Sequence, residues 1–473
     1  MSDLATELDP FIAKVLQHWA VPGMSVAVVR RDGPVLVRAY GVRSVETSIS
    51  ADADTAFGIG SCSKAFTSAL AAVLVDAGAI DWDDPIRKYL PSFELYDPWI
   101  SDHVTLRDLL ANRTGLSRAS AGEYGSDLSR AEILFNARHI QPVAGFRDQF
   151  TYSNIGYAAA AEAMALSVGH PFDRILNDYL LTPLGLRPGY MSRADDNIAA
   201  PHYQIEGKIR AVPAMFVDNL LGALGQTMSA HEAATWLRFH LAEGKSSGVG
   251  SSRQIKETHL LQTARRDQTL NDGYGLGWHV RNRRIQHDGS IRGFRANIWC
   301  DMAGGLAIFV ATNLGSGFAH FAVTNRIIQL MRGEAVTDWI THFDEVARKE
   351  FIDRVTSFNE EKRKEPVSTS RWSQEEFVGT YRHEGFGLLH IEPKDNHLWF
   401  RIDGLSGFDG PLMRFSSLGF EYQGDRDAMA LARMALASPP QGERARLRFQ
   451  SDGHTIQGLT WDDWFGSARF VRS

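Results

Sequence analysis

Phe57-Gly58-Ile59-Gly60-Ser61-Cys62-Ser63-Lys64 opens on two glycines and continues into an alanine-rich apolar run that ends at Gly78. Gly60 permits a tight entry into a helix, and Gly78 is placed for a left-handed C-cap. Ser61 and Lys64 stand three residues apart, so a helix sets them on one face with Cβ atoms about 5–6 Å apart. A serine hydroxyl is a weak nucleophile until a neighbouring base takes its proton. A lysine held in an apolar wall has a lowered pKa and can act as that base. The helix start adds partial positive charge, which favours a developing oxyanion. Read alone, the pair also fits an N-capping serine followed by a solvated lysine. Against this, Lys64 is the only charge between Phe57 and Val75, in a helix that looks buried all round.

The 473 residues suggest two or three domains, because single cores rarely grow beyond about 250–300 residues. A formal net charge of −6 over such a chain gives no strong field, which excludes nucleic acid and anionic membrane as expected partners. The N-terminus lacks a basic stretch followed by an apolar one, so no signal peptide is read, and no apolar run approaches the roughly 20 residues that span a bilayer. Cys62 and Cys300 cannot build a disulfide framework. The expected location is cytoplasmic. No His-Glu-x-x-His motif or Cys/His cluster occurs, so neither a metal nor a cofactor is expected.

Leu4–Trp19 has an amphipathic helical pattern, and Met24–Val29 and Val35–Tyr40 form a hairpin pattern around Asp32-Gly33. Helices are expected at 105–110, near 129–137, at 154–168, 172–181 and 230–241. After Gly273 the texture turns to strands at Tyr274–Val280, Arg284–His287, Ala296–Cys300 and Leu306–Thr312, with a helix at Phe318–Met331 packing back on them. Strands flanking a helical middle give an α+β arrangement. Trp339–Lys364 reads as a helical connector and Val367–Ser373 as a linker. From Phe377 short alternating runs predict a small antiparallel β-barrel, interrupted by a helix at Asp427–Ala437. The expected units are residues 1–335, the connector and linker 336–372, and the barrel 373–473.

Two further motifs join the serine–lysine pair: Tyr152-Ser153-Asn154 at the start of a buried helix, and His287-Asp288-Gly289-Ser290 with Gly293 following. With Ser61-Cys62-Ser63-Lys64 they have the order and separation of the three active-site motifs of the serine β-lactamase and penicillin-binding protein family, which the chain resembles from about residue 5 to 333. Asp84-Pro85, Leu106-Arg107-Asp108-Leu109-Leu110, Arg113-Thr114-Gly115 and Tyr274-Gly275-Leu276-Gly277-Trp278 add to the likeness. The last hundred residues resemble the lipocalin-like domain that many members carry.

The resemblance implies a β-lactamase/transpeptidase-like fold: a five-stranded antiparallel sheet flanked by helices, a helical subdomain, and the site between them. It implies Ser61 as the acylated nucleophile, Lys64 as its base, and Tyr152 as the general acid or base that serves the leaving group and the deacylating water. Asn154 would anchor a substrate amide. The N–H groups of Ser61 and Ser290 would form the oxyanion hole beside Gly289. Each residue has a plainer reading: Asn154 as a helix cap, His287 as a strand-end histidine, Gly289 as a bulge.

One departure bears on substrate. Relatives that grip a carboxylate often carry Lys-Thr-Gly at the third motif, where this chain has His287-Asp288-Gly289. The expected activity is therefore that of a serine hydrolase on esters, amides or D-residue peptides, with a small molecule or peptide as its partner. The alternatives are an acyltransferase of the penicillin-binding-protein-type thioesterase class and a non-catalytic β-lactam-binding module. Cys62 as nucleophile has no histidine paired with it locally and is expected to point into the core. In the barrel, Phe386, Trp399, Phe400, Trp461, Trp464 and Phe465 either form its own core or wall the Ser61 cleft.

Overall fold

Helix α1 (Leu4–His18) buries Leu8, Ile12 and Val15 along one stripe, and that stripe lies on a sheet. The computed structural model describes residues 4–473 except 117–127, 188, 192–195, 206, 216, 246, 266–271, 350–351, 353–370, 386, 395–396, 404–409, 415–416, 423–445 and 464–465. The sheet begins with β1 (Gly23–Arg30) and β2 (Gly33–Gly41), the expected hairpin. Its remaining strands come from far along the chain: β3 (Thr263–Ala264), β4 (Asp272–Tyr274), β5 (His279–Arg281), β6 (Arg284–Ile291), β7 (Phe294–Asp301) and β8 (Leu306–Thr312). Strand β1 pairs antiparallel with β8, Val26 opposite Val310, so the two ends of this module close on each other. The order is β2-β1-β8-β7-β6-β5-β4-β3.

Side chains on β1 alternate between two cores, as a strand period of two requires. Met24, Val26 and Val28 meet α1 together with Val323 and Ile327 of the helix at Ala319–Arg332. Ala27 and Val29 face the larger core, shared with α2 (Ser63–Asp76). A sheet covered on both faces explains why β1 and β8 are almost continuous apolar runs.

The long strands β1, β2, β6, β7 and β8 match the five expected, and β3, β4 and β5 extend the sheet by two or three residues each. The expected strand Tyr274–Val280 is in fact a hairpin broken at Gly275–Gly277. Gly277 takes φ +80, and a Cβ there would lie 2.7 Å from the Lys64 carbonyl oxygen, so the chain turns where it touches α2. The expected helix 172–181 is α-helical only to Leu176 and then widens into a π turn over Asn177–Leu181, just before Pro183.

The helical side is organised by α3 (Asn154–Val168), whose run Ala158–Ala161 is wholly buried. Gly156 lets it approach Leu106–Leu110, since a Cβ would sit 3.2 Å from the Leu109 carbonyl oxygen. Asp108 ties this region together: it closes a capping box with Thr105 and accepts from Arg113 at 2.6 Å and Arg147 at 2.7 Å.

The connector is helical over residues 339–349, and its Asp344 accepts from the Trp19 indole at 3.0 Å. Residues 367–370 of the expected linker and the helix at 427–437 lie outside the described residues, while Trp372 at the linker's end packs into the barrel core. Eight antiparallel strands, β9 (Gly379–His383) to β16 (Gly466–Arg472), then close into a barrel through the pairing of its first and last strands. Phe377, Tyr381, Phe400, Phe420, Phe449 and Phe470 fill it, a core separate from those above. Phe400 thus belongs to the barrel interior, and Trp399 lies half-buried beneath Lys394. Phe386, Trp464 and Phe465, and the side chain of Trp461, fall outside the description. The turn after β9 touches the helical side, where Glu384 meets the His139 ring at 3.1 Å.

Candidate active site

Ser61 lies in a single 3₁₀ turn, Gly60–Cys62, that feeds directly into α2. The turn is held at three points. Ser63 Oγ donates to the Gly60 carbonyl at 2.6 Å, Gln226 N donates to Ser63 Oγ at 3.3 Å, and Cys62 Sγ donates to the His287 carbonyl at 3.2 Å. Burial pushes the Cys62 thiol well above its ordinary pKa, so it is a packed side chain and no nucleophile.

Lys64 is fully buried. Its Nζ donates to Asn154 Oδ1 at 2.7 Å and to the Ala223 carbonyl at 2.9 Å, and it stands 3.4 Å from Ser61 Oγ. Three oxygen atoms thus surround Nζ. A neutral amine keeps two N–H bonds for Asn154 and Ala223, and its lone pair then faces the serine hydroxyl. Asn154 is therefore engaged with the lysine, and Ser153 occupies the N-cap position instead.

Tyr152 presents its ring 4.6 Å from Lys64 Nζ. Its backbone is clamped on both sides by one residue. Thr151 N donates to the Asn112 carbonyl at 2.8 Å, and Ser153 N donates to Asn112 Oδ1 at 2.9 Å. Asn112 does this from φ +52, a left-handed conformation that asparagine tolerates.

Strand β6 supplies the opposite wall. Gly60, at φ +49, has no room for a Cβ, which would fall 2.6 Å from Ser290 N, so the backbone just before Ser61 lies against that of Ser290. Gly289 is just as tight: a Cβ would fall 1.9 Å from the Ile59 carbonyl oxygen. Gly289 is a close approach between backbones inside a paired strand, and no register shift occurs there. His287 is buried, with Nδ1 2.6 Å from the Asp288 carbonyl and Nε2 3.0 Å from the Tyr274 hydroxyl. A carbonyl can only accept, so Nδ1 carries the proton and Nε2 accepts from Tyr274. Burial, with His279 and Lys64 nearby, drives the His287 pKa down to about 3. The ring is a neutral wall 6.3 Å from that of Tyr152.

The fold thus brings together every residue singled out by sequence: Ser61, Lys64, Tyr152, Asn154, His287, Gly289 and Ser290. Sequence reasoning missed Asn112, Tyr274 and the Ala223 carbonyl. Asn112 adjoins one quoted motif and Tyr274 opens another without a role having been read for it, whereas a main-chain carbonyl has no residue-type signature.

A profile of the Beta-lactamase family matches residues 9–331. The chain belongs to that family. It is 27% identical over 372 residues to the unguisins hydrolase ungD' of Aspergillus campestris, covering 72% of this chain and 68% of that protein. It is 23% identical over 349 residues to protein flp of Staphylococcus aureus, covering 70% and 67%. Among solved structures, the octameric penicillin-binding protein homologue from Pyrococcus abyssi superposes with a TM-score of 0.64 at 18% identity over the full length of both chains. EstCE1, described as a hydrolase with promiscuous acyltransferase activity, superposes at 0.58 and 18% identity over 66% of this chain and 93% of its own. The β-lactamase fold with an appended barrel is therefore common to this chain and a full-length structural neighbour. This β-lactamase-family chain contains no helix, among the described residues, long and apolar enough to cross a membrane.

Proposed function

We propose that the chain is a serine hydrolase that works through an acyl-enzyme on esters, amides or D-residue peptides. The observation that carries this reading is the buried Lys64 amine, whose Nζ contacts Asn154 Oδ1 and the Ala223 carbonyl and stands 3.4 Å from Ser61 Oγ. In the reaction, Lys64 takes the Ser61 proton as Oγ bonds to the substrate carbonyl carbon. The resulting oxyanion accepts hydrogen bonds from the N–H groups of Ser61 and Ser290. As the tetrahedral species collapses, Tyr152 protonates the departing amine or alcohol and is itself reprotonated from Lys64. Water then attacks the ester as Tyr152 passes its hydroxyl proton to the neutral Lys64 amine and takes the proton of the water, and on collapse Lys64 returns its proton to Ser61 Oγ, releasing the free acid.

Neutral His287 provides no fixed cation on its side of the cleft, which supports substrates other than β-lactams. The fungal relative is named as a hydrolase of unguisins, which supports the hydrolase reading here. The test is labelling by a fluorophosphonate followed by peptide mapping, alongside turnover of 4-nitrophenyl esters, D-amino-acid amides and penicillins. Ser61 should carry the label, and Ser61→Ala should lose several orders of magnitude in kcat. Labelling elsewhere would overturn the assignment. A penicillin turned over faster than every ester and amide would overturn the substrate class. Acylated product appearing on an added amine faster than free acid would mark the chain as an acyltransferase.

A further inference from the structure

Strand β6 continues past Ser290 into a two-residue turn, Arg292-Gly293, closed by the pairing of Ile291 with Phe294. This turn is fixed in place. Gly293 takes φ +72, a Cβ on it would fall 2.3 Å from Pro201 Cβ, and His202 N donates to its carbonyl at 3.3 Å. At about 3.3 Å per residue, His287 lies about 10 Å from Ser290 in one direction and Arg292 about 7 Å in the other.

The two directions are chemically distinct. A leaving group has to depart toward the acid that protonates it, and Tyr152 stands beside His287. The leaving group therefore lies on the His287 side of Ser61, and the acyl portion of the substrate runs toward Arg292.

Arg292 is half-buried, and its Nε is shielded from solvent without any acceptor. Among the described residues no carboxylate and no carbonyl pairs with its guanidinium. Three other partly buried arginines are matched by carboxylates: Arg107 with Asp83 and Glu257, Arg113 with Asp108, and Arg130 with Glu162, while Arg326 reaches the Gln329 amide oxygen. Burial lowers the Arg292 pKa, and only the Tyr203 hydroxyl opposes that. Two residues back, Ser290 Oγ is also buried without a partner. A buried donor left unmatched is costly, and an arriving acceptor recovers that cost.

We infer that Arg292, with the Ser290 hydroxyl beside it, binds a carboxylate carried on the acyl side of the substrate. This rests on the acyl-enzyme reading above. A guanidinium offers Nε–H and Nη–H as a planar fork that fits a carboxylate, and a serine hydroxyl supplies a third donor. The substrate class is then an acyl group ending in a carboxylate, such as a dicarboxylic half-acid or an acidic residue. The cation that His287 does not provide for the leaving group is present at the other end of the same strand.

The test compares acyl chains of equal length with and without the charge: 4-nitrophenyl monoesters of adipic and suberic acids against the hexanoate and octanoate. The kcat/KM ratio of charged to neutral ester is read within each variant, so that losses from poor folding cancel. The wild type should favour the charged ester by about 10- to 100-fold, the worth of a charge-assisted pair. Arg292→Gln should bring the ratio near one, Arg292→Glu below one, and Arg292→Lys between the first two. A wild-type ratio at or below one, or a preference that survives in Arg292→Gln and Arg292→Glu, would overturn the inference. Failure of the wild type to turn over any ester or to label at Ser61 would instead defeat the hydrolase reading beneath it.

Discussion

Gly289→Ala tests whether the seam between β6 and the Ser61 turn is what makes the oxyanion site. The added Cβ would start 1.9 Å from the Ile59 carbonyl oxygen and 3.1 Å from Cys62 Sγ, where ordinary contact begins at 3.4 Å. Neither neighbour is a flexible side-chain end. The Ile59 carbonyl itself accepts the Cys62 amide at 3.1 Å, so pushing it aside disturbs the turn that carries Ser61. In a close-packed interior the strand has to retreat by about 1.5 Å, taking Ser290 N out of hydrogen-bond reach of an oxyanion. Losing one such donor costs about 10²–10³ in kcat. The overpacking itself costs about 1–3 kcal/mol, or roughly 2–10 °C in melting temperature for a module of this size. The assays are steady-state kinetics on a 4-nitrophenyl ester and a thermal melt. A Gly289→Ala enzyme within about threefold of wild-type kcat and with an unchanged melt would refute the reasoning.

Lys64→Met and Tyr152→Phe should each be severe, and the double variant little worse than either, because one proton path uses both; additive losses would separate them. Acid should destabilise the fold through His259, which packs half-buried against His240 at 2.9 Å and is held down to about 4 by desolvation, with Glu243 pulling the other way. The unfolded chain takes up that proton near pH 6.5 and the folded one only near 4, so stability is full above this window and falls as pH drops through it. The loss is about 3 kcal/mol from His259 alone, and urea midpoints at pH 7.5 and 4.5 should show it. Burial would raise the Asp108 pKa, but Arg147 and Arg113 overcome that and hold it below the carboxylate range; Asp108→Ala should cost about 3–5 kcal/mol by stranding both cations, read from the same urea midpoints.

The site was legible in sequence because its chemistry sits in short local motifs, and each motif fell on the element its pattern predicted. The α3 helix spans the expected 154–168, since an alanine run bounded by Ser153 and Gly169 leaves little choice. What was not legible depends on groups without residue identity or on partners distant in sequence. Ala223 acts through its carbonyl, which any residue would have supplied. The hairpin at 275–277 arises because that segment collides with α2, a tertiary fact that overrides the β pattern of Tyr274–Val280. His240 and His259 looked like scattered histidines until the helix at Ala230–Leu241 and its neighbour at Ser252–Thr258 stacked them together. The unmatched Arg292 was likewise invisible, because only a fold reveals which charges lack counterparts.

Ser61 and Lys64 ride on one continuous turn and helix, whereas Tyr152 and Asn154 arrive from the helical side and Ser290 from the sheet. The reacting pair is thus a single rigid unit, and everything that makes it fast is borrowed from two other bodies. When the molecule breathes, the pair survives and its surroundings drift apart. Loosening of the cleft should then appear first as slower turnover, well before the serine stops accepting small electrophiles. Covalent tagging alone therefore reports that the unit exists, and only the rate reports that the three bodies are in register.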